Sequence, residues 1–153
     1  MSIRSSDSES LYNLLDRQNV IDRVTLYAFY LDRQDWTGFR GCFTDKLEID
    51  FSDFNGRPAT VVPADEFIAF DKELLSGITT QHLIANHVAT INKPKATLVA
   101  DAFASHHRSH PTPADYDIHG VYHMELMQID NDWKISSVQL RRLWTEGDRS
   151  VLG

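Results

Sequence analysis

The spacing of apolar residues in the first third of the chain predicts two helices. Residues 8–31 carry one apolar stripe, formed by Leu14, Ile21, Val24, Ala28 and Leu31. A stripe with this period is typical of an amphipathic helix that packs one face on a core. The shorter stretch 36–43 predicts a second helix or helical turn, for which Asp35 supplies the N-terminal cap.

After residue 43 the pattern changes to the alternation of a strand. Residues 47–51 alternate apolar and polar side chains, and Asn55-Gly56 predicts a tight turn, so we expect a short hairpin here. A further helix is predicted over 65–76, introduced by Pro63 and ended by Gly77. Its buried side would consist of Phe67, Ile68, Phe70, Leu74 and Leu75.

The second half of the chain has almost entirely the pattern of strands. Four strands are expected, at residues 82–92, 96–107, 119–130 and 133–144. Short turns join the first pair and the last pair, whereas residues 109–117, with two prolines, predict a longer loop. Four strands in series form an antiparallel meander, and helices followed by such a sheet are typical of an α+β fold.

Length and charge narrow the class of protein. A chain of 153 residues fits a single domain, 1–153, and 42% hydrophobic with 24% charged residues is a globular composition. A net charge of −7 opposes binding to nucleic acid. No apolar run approaches the ~20 residues of a membrane span. Cys42 is the single cysteine and cannot form an internal disulfide, so we expect a cytoplasmic protein.

Five short segments, taken together, resemble one protein family. Residues 27–36 read Tyr-Ala-Phe-Tyr-Leu-Asp-Arg-Gln-Asp-Trp, a helix that ends in an aspartate and is followed by Asp-Trp. The other segments are Ile49-Asp50-Phe51, Thr80-Gln81-His82-Leu83-Ile84, Gly120-Val121-Tyr122 and Asp130-Asn131-Asp132-Trp133-Lys134. Their order and spacing resemble the scytalone dehydratase and SnoaL-like branch of the NTF2-like superfamily. The resemblance implies a cone-shaped, cystatin-like α+β fold, in which a curved antiparallel sheet wraps around N-terminal helices.

Asp32 and His82 occupy the positions of this family's acid/base dyad. The resemblance implies that the carboxylate orients the imidazole, which moves a proton to or from the substrate. Imidazole exchanges protons near neutral pH, and a partner carboxylate fixes its tautomer and stabilises the cation. Taken singly, Asp32 could instead be a residue of the helix end, and His82 a hydrogen-bonded core histidine. The family spacing favours the shared site.

Tyrosines supply candidate hydrogen-bond donors to the substrate. Tyr27, Tyr30 and Tyr122 could donate to a developing enolate or a departing hydroxyl, and the resemblance implies such a role. Phe51, in a substrate-binding position, stands where relatives have a tyrosine, so scytalone itself is not the expected substrate. Asn86, on the same predicted strand face as the dyad histidine, could hydrogen-bond a ligand or stabilise the interface between sheet and helices.

The densest group of histidines comprises His106, His107, His110, His119 and His123. No cysteine or glutamate falls near them at zinc-like spacing, so no metal is predicted, and no motif indicates a cofactor. The resemblance implies that a histidine of this strand serves as a second acid/base. Because neighbours on a strand face opposite sides, one of His106 and His107 would face the cavity and the other would be exposed.

These residues indicate a cofactor-independent lyase that eliminates water or another leaving group from a small hydrophobic or cyclic substrate. The same fold and base would also suit an isomerase or a polyketide-cyclase-like enzyme, and a filled cavity would indicate a non-catalytic binding or assembly module. Neither nucleic acid nor a membrane is an expected partner. The resemblance also implies a homodimer or higher homo-oligomer, formed through the outer sheet face, and a lid formed by residues 109–117 or 146–153.

Overall fold

The computed structural model describes residues 5–153, with side chains from residue 10 onward. It contains four α-helices, six strands and a final 3₁₀ turn within that range. The helices are α1 (Ser5–Asp32), α2 (Trp36–Arg40), α3 (Ser52–Asn55) and α4 (Ala64–Leu74), and the 3₁₀ turn is Arg149–Leu152. The strands are β1 (Phe43–Asp50), β2 (Thr60–Pro63), β3 (Ile78–Asn92), β4 (Lys95–Arg108), β5 (Ala114–Ile129) and β6 (Asp132–Gly147).

The six strands form one curved, unclosed sheet in the order β2-β1-β6-β5-β4-β3. The predicted meander of four long strands is confirmed, because β3 to β6 pair with their neighbours in antiparallel fashion. The pairing of β1 with β6 is parallel and was not predicted. It brings the early part of the chain alongside its last strand, so the helices lie against one concave face of the sheet.

Alternation along the long strands assigns one face of the sheet to the core. On β4 the residues Ala96, Leu98, Ala100 and Ala104 are buried, and on β5 Ile118, Tyr122, Met124 and Leu126 are buried. Helix α1 presents Val20, Val24, Tyr27 and Leu31 to this face. Their spacing of three or four residues keeps them on one side of the helix, so helix and sheet bury a common core. The α+β prediction and the cystatin-like fold are confirmed.

Two features between β1 and β3 differ from the sequence-based prediction. The expected hairpin is present, because β1 and β2 pair in antiparallel fashion, but Asn55-Gly56 is not a tight turn between them. Residues 52–55 form α3, and Gly56 follows it with φ 67°, a left-handed conformation that glycine adopts without steric cost. In α4, Phe70 is 57% exposed, whereas Asp71 is buried. Asp71 follows Phe67 by four residues and therefore shares its face of the helix.

The loop after β4 is shorter than expected, because β5 already begins at Ala114. Likewise β3 begins at Ile78, four residues before the predicted start. Within residues 5–153, none of the helices combines the length and the apolarity required to span a bilayer.

Candidate active site

A cavity of about 280 Å³ lies between the helices and the concave face of the sheet. Its wall is mainly apolar, with Leu31, Phe51, Phe54, Leu74, Ile118 and Leu140 among the lining residues. Polar groups also reach it, namely Tyr27, Asn55, Asp71, His82, His106, Tyr116, Tyr122 and Arg149. An apolar cavity with a few convergent polar groups is typical of a small-molecule site, and this volume lies at the small end of the usual ~300–1,000 Å³.

His82 projects into the cavity from β3, and Asp32 lies behind it at the end of α1. The Nδ1 atom of His82 is 2.6 Å from Oδ1 of Asp32. The side chain of His82 is 7% exposed and that of Asp32 is 16% exposed. The two residues are fifty positions apart in the sequence, and their contact depends on the packing of α1 against β3.

Two further hydrogen bonds hold the carboxylate of Asp32 in place. The Thr80 hydroxyl donates to Oδ1 at 2.9 Å, and the main-chain N–H of His82 donates to Oδ2 at 2.8 Å. With both oxygens engaged as acceptors, Nδ1 of His82 carries the proton that Asp32 accepts. The other ring nitrogen, Nε2, is then unprotonated in the neutral ring and can act as a base. Thr80 was not singled out in the sequence, although it lies two residues before His82 and therefore on the same strand face.

His106 is the second imidazole of the cavity. Its Nδ1 lies 3.0 Å from the carbonyl oxygen of Tyr116, which can only accept, so Nδ1 is the donor. The rings of His82 and His106 meet edge to face with centroids 5.7 Å apart. Burial lowers the pKa of His106, and the proximity of His82 lowers it further. His106 is therefore neutral at neutral pH.

Two phenols meet in the centre of the cavity. The hydroxyls of Tyr27 and Tyr122 are 3.4 Å apart, and both residues are buried. Burial raises the pKa of Tyr27 well above its usual value and that of Tyr122 to about 12. Both hydroxyls are consequently protonated at neutral pH. Because only one proton is needed for their mutual contact, the other can be donated to a ligand.

The last residues of the described chain border one end of the cavity. Arg149, Leu152 and Gly153 line it, and of residues 109–117 Tyr116 does. The guanidinium of Arg149 donates to the carbonyl of Phe54 at 3.0 Å, and Arg108 donates to the carbonyl of Ser150 at 2.7 Å. Both segments considered for a lid, 109–117 and 146–153, therefore contribute to the cavity wall, and a lid formed by either stays a prediction.

Three residues expected at the site lie elsewhere. His107 is on the outer face of β4, where it contacts Asp115, because His106 occupies the inward position. Tyr30 packs beside Phe29 and against Gly38, so closely that a Cβ on that glycine would clash with the ring. Neither residue lines the cavity.

Asn86 is the third displaced residue. The pairing of β3 with β4 shifts between Ala85 and Val88, and Asn86 adopts φ 55° at this bulge. A bulge adds one residue to the strand and reverses the alternation beyond it. Asn86 is therefore exposed and donates to Asp101 at 2.7 Å, while His87 takes the inward side.

Asp71 is the cavity residue that sequence reasoning missed. It is 8% exposed, and burial raises its pKa to about 7. The available signal was its position in the helix, since an aspartate four residues after Phe67 and three after Ile68 falls on the apolar stripe. A charged residue at such a position is rarely found fully buried without a partner.

The cavity thus combines an oriented base, a second neutral imidazole, two protonated phenols and a buried carboxyl group. Among the residues that the structure describes, no three histidine, cysteine, aspartate or glutamate side chains converge as a metal site would require. The residues present can remove a proton from a carbon acid and stabilise the resulting negative charge on oxygen.

Comparison with known proteins gives a family match and many related folds. Residues 13–139 match the profile of the SnoaL-like domain. No curated protein sequence matches the chain. The protein Kfla4162 from Kribbella flavida is 30% identical, with 86% of this chain and 93% of that chain covered and a TM-score of 0.81.

Two further solved structures share the fold at lower identity. A protein from Novosphingobium aromaticivorans, named provisionally as a scytalone dehydratase, is 19% identical over 88% of each chain, with a TM-score of 0.77. The hexachlorocyclohexane dehydrochlorinase LinA type 3 from Novosphingobium barchaimii is 15% identical, over 92% of this chain and 94% of that one, with a TM-score of 0.74.

Proposed function

The chain belongs to the SnoaL-like domain family, within the NTF2-like superfamily, and on this premise we propose that it is a cofactor-independent lyase. The reaction is the elimination of a leaving group from a small hydrophobic, cyclic substrate that carries an electron-withdrawing group. His82 is the base and Asp32 is its orienting partner. The observation that carries the proposal is the 2.6 Å contact between the two residues, with the imidazole exposed to an open apolar cavity.

The geometry supports each part of this proposal. Nε2 of His82 takes a proton from the carbon next to the substrate carbonyl, and Asp32 stabilises the imidazolium that forms. The hydroxyls of Tyr27 and Tyr122 face the same space and would donate to the developing enolate oxygen. The names of related folds, a dehydratase and a dehydrochlorinase, both describe eliminations and agree with this chemistry. An open cavity favours an enzyme over an assembly module, whose cavity would be filled by side chains.

Two measurements with simple ketones test the proposal. Cyclohexanone in D₂O reports proton abstraction through exchange of its α-protons, followed by NMR. The compound 3-hydroxycyclohexanone reports elimination through the ultraviolet absorbance of cyclohex-2-enone. We expect the wild-type protein to catalyse both, and Asp32→Asn to impair both.

The pair of readouts separates the candidate functions. Exchange without elimination would favour an isomerase or a polyketide-cyclase-like enzyme, which uses the same base without a leaving group. Ketone binding with neither exchange nor elimination would contradict an enzyme and favour a binding module. Asp115→Asn is the matched control, because Asp115 contacts an exposed histidine at the same 2.6 Å distance.

A further inference from the structure

Asp71 reaches the cavity from a helix, whereas the two imidazoles reach it from the sheet. It lies on α4, which packs against α2, β1 and β2, whereas His82 and His106 lie on β3 and β4. These two pairs of strands form the two opposite ends of the sheet. Tyr122, on the central strand β5, is influenced by the charges of both Asp71 and Asp32. Asp71, the two phenols and the imidazole of the dyad therefore line one cavity, in which a single small substrate can contact all of them.

The environment of Asp71 favours an uncharged carboxylic acid. Its side chain is buried, and no described residue donates a hydrogen bond to its carboxyl oxygens. Asp71 also lies in the last turn of α4, where the negative end of the helix dipole opposes a carboxylate. Asp32, by contrast, accepts three hydrogen bonds.

We propose that Asp71 is the general acid of the elimination and gives its proton to an oxygen leaving group. This inference rests on the proposed lyase function and specifies its substrate class. The substrate is then a small cyclic ketone with a hydroxyl on the β-carbon, and the reaction is a dehydration. Hydroxide is a poor leaving group that requires a proton, whereas chloride departs without one, so an acid at this place selects for water.

The proposed step is balanced in atoms and charge. Nε2 of His82 takes the α-proton, the C–H electron pair becomes the C=C bond, and the C–O bond breaks. The departing oxygen takes the proton of Asp71 and leaves as water. The products are the enone, water, the imidazolium of His82 and the carboxylate of Asp71. One proton passed through solvent from the imidazolium to the carboxylate restores both groups.

The ionisation of Asp71 agrees with this role. Burial raises its pKa to about 7, so a large fraction is protonated at neutral pH. A carboxylic acid kept neutral by an apolar site can act as a donor in this way. The other titratable groups that line the cavity are Tyr27, His82, His106, Tyr116, Tyr122 and Arg149.

A direct test observes the Asp71 carboxyl itself. Protein labelled with ¹³C at aspartate carboxyls would be titrated by NMR between about pH 4 and pH 9, and the Asp71 signal assigned by its absence in Asp71→Asn. We expect a midpoint near 7, displaced upward when 3-methoxy-2,2-dimethylcyclohexanone is bound, because this compound cannot eliminate and its ether oxygen on the β-carbon accepts a hydrogen bond only from the protonated acid. A midpoint below 5, or a midpoint that this bound compound leaves unchanged, would overturn the proposal.

A kinetic test compares two leaving groups on the same ring. We expect Asp71→Asn to lower elimination from 3-hydroxycyclohexanone about 10²-fold, the scale of general-acid catalysis. Elimination from 3-acetoxycyclohexanone, whose acetate leaves without prior protonation, should fall less than about threefold. The loss of rate above pH 7 in the wild type should disappear in the variant. Equal losses for both compounds would contradict the role of acid. Glu73→Gln, an exposed position of the same helix, is the matched control.

The failure of this inference can be distinguished from the failure of the proposed lyase. Suppose that the wild-type protein exchanges the α-protons of cyclohexanone and that Asp71→Asn dehydrates 3-hydroxycyclohexanone at the wild-type rate. The role of His82 as base is then supported, and Asp71 is not the general acid. If no exchange occurs while the Asp71 titration still responds to 3-methoxy-2,2-dimethylcyclohexanone, the lyase is wrong. In that case Asp71 is a hydrogen-bond donor of a binding site, and its role as general acid is refuted.

Discussion

Two histidine–aspartate pairs with the same geometry lie on opposite faces of the sheet. His82 with Asp32 and His107 with Asp115 both have Nδ1 and Oδ1 at 2.6 Å. The side chains of the inner pair are 7% and 16% exposed, and those of the outer pair are 45% and 68% exposed. Solvent screens the outer pair, and neither of its residues lines the cavity. A short contact between histidine and aspartate is therefore not enough for a candidate active site. The pair must also be buried beside a space of ligand size.

Replacing the aspartate of each pair by asparagine is the strongest test of this difference. Asp32→Asn should lower turnover of 3-hydroxycyclohexanone by at least about 10²-fold, because the base loses its fixed tautomer and the charge that stabilises the imidazolium. Asp115→Asn should leave turnover unchanged. Steady-state rates of both variants, measured beside the wild type, check the prediction.

Thermal melting must accompany these rates. Asp32 accepts from the main-chain N–H of His82, and the NH₂ group of asparagine cannot accept there, so we expect a loss of about 1–3 kcal/mol in the free energy of unfolding. His82→Ala should be at least as damaging to turnover, and the double variant little worse than either, because the two residues act as one unit. Near-full turnover of Asp32→Asn would refute the dyad.

Asp71 extends the comparison to a carboxyl group that faces the cavity without a partner. Its pKa is about 7 in the folded chain and 3.8 for an ordinary aspartate, so the folded state binds the additional proton. Stability is therefore full below about pH 4 and falls as the pH rises to about 7, by on the order of 4 kcal/mol. Asp71→Asn should remove this pH dependence and exceed the wild type in stability at pH 8.

Urea unfolding at several pH values measures the effect, with the exposed Asp65→Asn as its control. A wild type and an Asp71→Asn variant whose difference in stability did not change between pH 4 and pH 8 would contradict a buried, partnerless acid. The expected gain in stability together with a loss of dehydration is typical of a residue retained for activity.

The phenols of the inner face should contribute less than the dyad. Tyr122→Phe removes one of two donors while Tyr27 remains, so we expect a decrease in turnover of about tenfold, the worth of one hydrogen bond. The raised pKa of Tyr122, about 12, means that no rate change below pH 10 arises from its ionisation. Tyr12→Phe, at an exposed tyrosine, is the control. A Tyr122→Phe variant as active as the control would exclude the phenol from the reaction.

The outer face of the sheet bears on the assembly of the protein into dimers and not on its turnover. Leu83, Phe103, His119 and Trp144 are direct cross-strand neighbours on this face, and His119 stacks on Trp144 at 4.2 Å between ring centroids. Leu83 and Trp144 are 55% and 50% exposed, which leaves an apolar row open. We expect a homodimer through this face at micromolar concentration.

Light scattering measures the assembly. The double variant Leu83→Ser, Trp144→Ser should shift the protein toward monomer, whereas Val61→Ser, at an exposed position of the edge strand β2, should not. A wild-type protein that is monomeric at every concentration would show that the expected homodimer is wrong. The apolar row on the outer face would then be exposed to solvent.

The elements of the fold follow from local periodicity in the sequence. Period two in β3 to β6 and the helical stripe of α1 each depend on neighbouring residues, so they could be identified without knowledge of the fold. The order of strands in the meander followed from the same pattern. The parallel pairing of β1 with β6 did not, because it joins segments about ninety residues apart.

The residues of the candidate site were likewise predicted only in part from the sequence. Resemblance identified Asp32, His82, Tyr27 and Tyr122. In the structure Tyr27, His82 and Tyr122 line one cavity, and Asp32 contacts His82 from behind. The inward position of His106 rather than His107 depends on strand register, which the sequence of one strand does not specify.

Two features of the site depend on packing between distant segments of the chain, and only the tertiary structure decided them. The bulge at Asn86 reverses the alternation of β3 and carries that residue out of the cavity. Asp71 stands on an ordinary apolar stripe in the sequence, and only the packing of α4 against α2, β1 and β2 buries it in the cavity wall that also contains Tyr27 and Tyr122. A helical period determines which side of α4 is covered. The space left between that side and the opposing strands, and hence the solvation of Asp71, is determined by the whole fold.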